Sequence, residues 1–179
     1  VMLCSCDKIV PGMLMAAARA DCPCVFVTGG LMPEGAFEGR KVVASDVKEG
    51  IGRAAKGEYT IDRLMELERA ACPGPGICNM MGTANTMCSL VEAAGLSLPG
   101  NATIHADDPA LSQIAETAGA RAVENANAGL RFSRQMTGNN LRNLVRMVQA
   151  FGGSTNAVLH LIALARELGD SLSFEDFDR

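Results

Sequence analysis

Residues 1–30 decide the fold: Val1-Met2-Leu3-Cys4-Ser5-Cys6-Asp7-Lys8, then IVPGMLMAAARA over 9–20, then Asp21-Cys22-Pro23-Cys24-Val25-Phe26-Val27-Thr28-Gly29-Gly30. The apolar run 1–4 predicts a buried strand and 5–8 a polar turn. Pro11 suits the first turn of a helix, and 13–20 is rich in helix formers. The apolar, β-branched run 24–28, closed by Gly29-Gly30, predicts a second strand. Two wholly apolar strands joined through a helix favour a parallel pair, because parallel strands need a crossover. The expected fold class is therefore α/β, with helices layered around a mostly parallel sheet. Val1 stands inside an apolar run, so the first strand reads as already under way, and the expectation is a piece of something longer.

Outward from this unit, the Gly, Pro and Glu content of 31–40 predicts a loop. Ser45 is a candidate helix cap, although Lys48 stands where a capping-box Glu belongs. Thr60 opens a clearer helix, with Ile61, Leu64, Met65 and Leu67 at helical spacing through Ala71. Cys72-Pro73-Gly74-Pro75-Gly76 ends it, since two prolines and two glycines cannot continue a helix. Helices are expected at 80–94, stopped by Gly95, and at 109–118, 139–151 and 156–168, the last capped by Ser154 or Thr155 and ended by Gly169. With no repeat and no convincing linker, residues 1–179 read as one domain.

Composition narrows the function. Net charge is −4 with no cluster of Lys and Arg, which removes the electrostatic footprint of a nucleic-acid binder. Apolar residues make up 48% but aromatics only 4%, so the core must come from Ala, Val, Leu, Ile and Met. The apolar run at 158–165 is too short to cross a membrane and contains His160. Seven cysteines, an odd number without an export signal, read as reduced thiols or metal ligands before they read as a disulfide framework.

Three segments could carry chemistry. Cys6-Asp7-Lys8 follows the first strand, where α/β proteins place sites, and combines a soft ligand, a hard ligand and a titratable amine. It also reads as a buried Cys beside a solvated ion pair. Cys72-Pro73-Gly74-Pro75-Gly76-Ile77-Cys78 is a rigid loop feeding a helix, whose N-terminal amides favour a thiolate or anion. Its glycines mimic a dinucleotide fingerprint, but Asn79 stands at the third glycine position and a helix precedes it. Gly152-Gly153-Ser154-Thr155-Asn156 could bind an anion, or be a helix cap and nothing more. Only two histidines are present, His105 and His160, so a His-rich zinc site has no material, and His160 reads as a packed, hydrogen-bonded residue. Cys4, Cys22, Cys24 and Cys88 read as core thiols. Met80, Met81 and Met87 could line a pocket or simply pack.

Taken together, Ser5-Cys6-Asp7-Lys8 with PGMLMA at 11–16, CPGPGICNMMGTANTM at 72–87, LSLPG at 96–100 and GGSTNAVLHL at 152–161 resemble the dihydroxy-acid dehydratase family, which includes sugar-acid and phosphogluconate dehydratases. The resemblance spans nearly the whole chain. It implies that Cys6 and Cys78 are ligands of an iron–sulfur cluster, 2Fe-2S or 4Fe-4S, whose third cysteine lies upstream. It implies that Asp7 and Lys8 bind Mg²⁺, the lysine as a carbamate: an ammonium repels the ion, whereas a carbamate offers it a hard anionic oxygen. It implies a hydro-lyase with magnesium on the substrate carboxylate and 2-hydroxyl, iron as Lewis acid towards the 3-hydroxyl, and a serine of a C-terminal domain as base. Residues 1–179 would then be a partial N-terminal domain, inactive alone, of a cytoplasmic two-domain enzyme that is a homo-oligomer without nucleic-acid or membrane partners.

The substrate implied is a 2,3-dihydroxy carboxylic acid. Residues 11–19 and 72–77 lean towards the enzymes of branched-chain amino-acid biosynthesis, whereas 78–83 lean towards the sugar-acid branch. The branched-chain acid is the favoured expectation and phosphogluconate the least. Two rivals come from other classes. A nucleotide- or anion-binding module without catalysis would bind nucleotide tightly and hold no iron. A structural domain with core thiols would give a colourless protein that is stable without metal.

Overall fold

The opening thirty residues fold as strand, helix, strand. In the computed structural model, which describes residues 1–178, β1 (Met2–Cys4) pairs in parallel with β2 (Phe26–Thr28), Met2 opposite Phe26 and Cys4 opposite Thr28. The crossover is α1 (Ile9–Ala20), which buries Val10, Leu14 and Ala17, residues three and four apart on one face. Beyond Thr28 the chain stays extended, and Leu31 bridges in parallel to both Ile77 and His105, while Phe26 also bridges to Ser97.

Alternation along β2 explains the layering. Phe26 faces one side and packs in the main core with Leu14 of α1, Met87 and Leu90 of α4 (Thr83–Ala93), Leu141 of α7 (Gly138–Ala150) and Leu161 of α8 (Thr155–Glu167). Val25 and Val27 face the other side, against Ala118 of α5 (Ala110–Asn127). Helices therefore cover both faces of β2, but the expected burial of the first strand is corrected: Leu3, opposite Val27, is 66% exposed because α5 packs over β2 and not over β1. The fold is α/β, as its opening residues imply. A short α6 (Phe132–Gln135) and a 3-10 turn at Phe174–Phe177 complete it.

The expected loop at 31–40 is corrected. It contains β3 (Gly35–Phe37), which pairs antiparallel with β4 (Arg40–Val42). Glu38 and Gly39 turn between them, both with positive φ (51° and 78°), the geometry that matches strand twist in a two-residue hairpin. With α2 (Ala44–Ala55) and α3 (Ile61–Ala71), the hairpin encloses a small core of Phe37, Val42, Leu67 and Ala71. Ser45 is not a cap: it lies inside α2, where Asp46 accepts from the Val43 N–H at 2.8 Å. Thr60 does cap α3, its hydroxyl accepting from the Arg63 N–H. The helix expected at 80–94 begins at Thr83, and the one at 109–118 runs on to Asn127. Gly119 does not stop it, because it keeps a helical backbone instead of the left-handed φ with which a glycine ends a helix.

Candidate cluster and metal site

Cys6, Asp7 and Lys8 occupy the β1–α1 connection, at the C-terminal end of β1. Cys6 is exposed and has φ +75°, a left-handed conformation that costs a non-glycine residue on the order of 1–3 kcal/mol. Lys8 is the N-cap of α1 and makes no side-chain cap. Its ammonium lies 3.0 Å from Asp7 Oδ1 and 3.4 Å from His160 Nε2. A cation at a helix N-terminus meets the positive end of the macrodipole, the less favourable sign there. His160 is half-buried on α8; burial first, then the Lys8 charge, lowers its pKa, and Asp7 opposes them. A neutral imidazole can then accept from the Lys8 ammonium.

Cys78 leaves a stretch pinned on both sides. The Ile77 N–H donates to Gly30 O at 2.9 Å, and Ile77 O accepts from the Met32 N–H at 3.0 Å. Gly76 makes this possible, because a Cβ there would sit 2.3 Å from Met32 N and φ is +125°. At Gly29 a Cβ would fall 2.8 Å from Cβ of Ser5, so β1 and β2 close up where Cys6 emerges. Cys6 and Cys78 thus each follow a residue that touches the Gly29-Gly30 turn.

The third motif joins the other two. Ser154 caps α8, its hydroxyl lies 2.8 Å from that of Thr83 in the first turn of α4, and its N–H donates to Thr86 Oγ1 at 3.0 Å. Asn156 Nδ2 donates to Thr83 Oγ1, also at 3.0 Å. α8 therefore holds the end of the Cys78 segment at its N-terminus and reaches Lys8 through His160 further along.

The seven thiols divide by environment. Burial pushes Cys4 and Cys24 up to about 11 and Cys88 up to about 12, so all three are protonated near neutral pH and are poor ligands. Cys6, Cys22, Cys72 and Cys78 are exposed, which corrects the expectation of a core role for Cys22. Among the described residues, no three His, Cys, Asp or Glu side chains converge on a point where they could hold a metal ion. Cys6 with the adjoining Asp7 and Lys8, and Cys78 on its own loop, are exposed residues whose types fit parts of a donor set for a soft cluster and a hard cation. Met80 and Met81 line a cavity of about 300 Å³ with Leu31, Met32, Asn85 and His105. Met87 belongs to the core instead. Gly74 and Gly76 follow α3 rather than a strand, so they do not form a dinucleotide turn.

A family profile described as "Dihydroxy-acid/6-phosphogluconate dehydratase N-terminal" matches residues 1–179. The chain belongs to this family. It is 50% identical over 179 residues to a protein named dihydroxy-acid dehydratase from Methanothermobacter thermautotrophicus, covering 99% of this chain and 33% of that protein. A protein of the same name from Natronomonas pharaonis is 48% identical over 178 residues, covering 99% and 30%. One from Methanospirillum hungatei is 44% identical over 179 residues, covering 100% and 33%. The chain spans about one third of the length of these relatives. Two features of the site were not foreseen in the sequence: His160 as the partner of Lys8, and the asparagine ties around Cys78.

Proposed function

We propose that these residues form part of the active site of a hydro-lyase that converts a 2,3-dihydroxy carboxylic acid into a 2-keto acid. In this reading Cys6 and Cys78 ligate an iron–sulfur cluster, and Asp7 and Lys8 ligate Mg²⁺. The observation that carries it is that one helix touches both other segments: on α8, His160 lies against Lys8, while Ser154 and Asn156 bond Thr83 just after the Cys78 loop. The family relationship and the name shared by the relatives support the reaction class. The favoured substrate is the branched dihydroxy acid of amino-acid biosynthesis, handled by a cytoplasmic homo-oligomer.

When bound, the two groups would supply Lewis acidity, iron at the departing 3-hydroxyl and magnesium at the carboxylate and 2-hydroxyl. The chain's own part is to hold donors ready. Asp7 keeps an exposed carboxylate beside the Lys8 ammonium at 3.0 Å. Once Lys8 loses its proton, its amine adds to CO₂, forming an N–C bond and releasing a proton to solvent, which leaves a carbamate anion. That change replaces a cation at the α1 N-terminus with the charge its dipole favours. His160, now facing an N–H and two oxygens, can keep the modified side chain in place. Cys6 takes a left-handed backbone directly after β1, and such strain is retained where the surroundings enforce it.

Lys8→Arg in the complete enzyme keeps the positive charge but cannot form the carbamate. It should lose magnesium-dependent conversion of the dihydroxy acid while the visible absorbance of the cluster survives. Lys8→Glu restores an anionic oxygen at shorter reach and should recover a trace. An Arg variant that dehydrates at the parent rate would leave Lys8 a simple substrate-binding cation and end the carbamate role.

A further inference from the structure

We propose that Asn85 is a positioning residue for Cys78, fixing the backbone from which that thiol meets a soft metal. Asn85 stands in the first turn of α4 and is 92% buried, with 8% of its surface exposed. Its Nδ2 reaches back and donates to the Cys78 carbonyl at 2.8 Å and to the Met80 carbonyl. Its Oδ1 is buried with no hydrogen-bond partner. The amide cannot be turned round, because Oδ1 would then face two carbonyl oxygens. One acceptor is therefore left unpaired for the sake of two donated bonds, both to the Cys78 loop.

Asn79 completes the clamp from the other side. Its Nδ2 donates to Pro33 O at 2.9 Å and Ala71 O at 3.0 Å, and its Oδ1 accepts from the Ala44 N–H at 2.9 Å. With Ile77 bonded to residues 30 and 32, residues 77 to 80 are each held, Cys78 and Met80 by their carbonyls and Asn79 by its side chain. Exposed Cys72, at the C-terminal end of α3, has no comparable asparagine on its carbonyl among the described bonds. Residues that hold a ligand's orientation tune metal affinity by about 10–100-fold.

The inference rests on reading Cys78 as a metal ligand, and the experiment separates the two. Cobalt(II) is titrated anaerobically into the complete enzyme stripped of iron, read by thiolate-to-cobalt charge-transfer absorbance and by the visible d–d bands. Cys78→Ser defines the part of the signal that belongs to Cys78; if it leaves the titration unchanged, the ligand reading fails and takes this proposal with it. Asn85→Ala should weaken the Cys78-dependent binding by about tenfold and shift the d–d bands. Asn85→Asp, with no donor, should do at least as much, and Asn85→Gln, with the donors one methylene further out, should fall between. Asn140 is the control: its Nδ2 also donates to two carbonyls, Gln135 O and Ala94 O, the latter at the C-terminal end of α4, the opposite end from Asn85 and the Cys78 loop. Asn140→Ala should leave affinity and bands at parent values. Parent affinity and bands in both Asn85→Ala and Asn85→Gln, alongside a loss in Cys78→Ser, would overturn the positioning role. So would an equal loss in Asn140→Ala. If Asn85→Ala does not fold, the Gln variant carries the decision alone.

Discussion

Replacing Asn101 by Ala should destabilise the domain by about 3 kcal/mol, and the structure says why. Asn101 is fully buried and its side chain takes the place of a neighbouring strand beside Thr28. Oδ1 accepts from the Thr28 N–H at 2.7 Å and the Ser97 hydroxyl at 2.8 Å, and Nδ2 donates to Thr28 O at 3.1 Å. Alanine would leave three buried polar groups without these partners. Each costs about 1–3 kcal/mol, and partial relaxation or an entering water brings the total towards the low end. With a urea m-value of about 2 kcal/mol/M for a chain of this size, the midpoint should fall by about 1.5 M. Ser97→Ala removes one bond only and should cost about 1 kcal/mol. Equilibrium urea unfolding followed by far-UV circular dichroism measures both. Because Thr28 leads into Gly29-Gly30, amide exchange at residues 28–31 should also accelerate. A midpoint shift below about 0.5 M for Asn101→Ala would refute the reasoning, since the asparagine would then not be standing in for a strand.

Further outcomes follow from the same contacts. Gly76→Ala must push the new methyl into Met32 and hold a positive φ, so it should destabilise by more than about 1 kcal/mol, whereas Gly74→Ala, with open space around it, should be near neutral in thermal melts. Cys4, Cys24 and Cys88 have folded pKa values of about 11, 11 and 12 against an ordinary 9.0, so the stability they contribute is complete below pH 9 and is lost as pH rises towards 11–12. Urea midpoints measured from pH 7 to 11 should therefore fall on the alkaline side, and a flat profile would contradict it. At the acid end Asp21, Asp46 and Glu167 are held below their usual values, the first by the Ser133 N–H and the other two by Arg40 and Arg19, so the stability they give is present above about pH 4 and is lost as pH falls through their folded values. Raising the salt concentration should shrink that acid dependence, because these carboxylates are solvent-screened.

Much of the fold was legible because it rests on local periodicity. The apolar runs at 1–4 and 24–28 became a parallel pair, and Thr60 and Ser154 cap helices as their positions suggest. The hairpin at β3–β4 was hidden because its stability comes from packing on α3 rather than from a strong strand pattern: Gly35 lies hard against the Ala70 carbonyl, and Phe37 packs with Leu67. The late start of α4 was hidden for a similar reason. Asn79 bonds the carbonyls of Pro33 and Ala71, and Asn85 reaches back to the carbonyls of Cys78 and Met80, which overrides the helical preference of Met80 and Met81. At the site, it is the resemblance of whole motifs, not residue spacing, that points to Cys6, Asp7, Lys8 and Cys78, and nothing in the spacing could foretell that His160 lies 3.4 Å from Lys8, more than 150 positions away. Tertiary geometry alone supplies that pairing.

The central claim, that Cys6 and Cys78 hold a cluster, is tested most directly by iron content and visible absorbance of the complete enzyme purified without oxygen. Cys22→Ser and Cys72→Ser are the fitting controls, because both cysteines are exposed and their replacement disturbs no core, unlike that of buried Cys88. Cys6→Ser and Cys78→Ser should each lose the iron and the colour, while Cys22→Ser and Cys72→Ser keep both. Full iron and parent absorbance in Cys6→Ser and Cys78→Ser would contradict it.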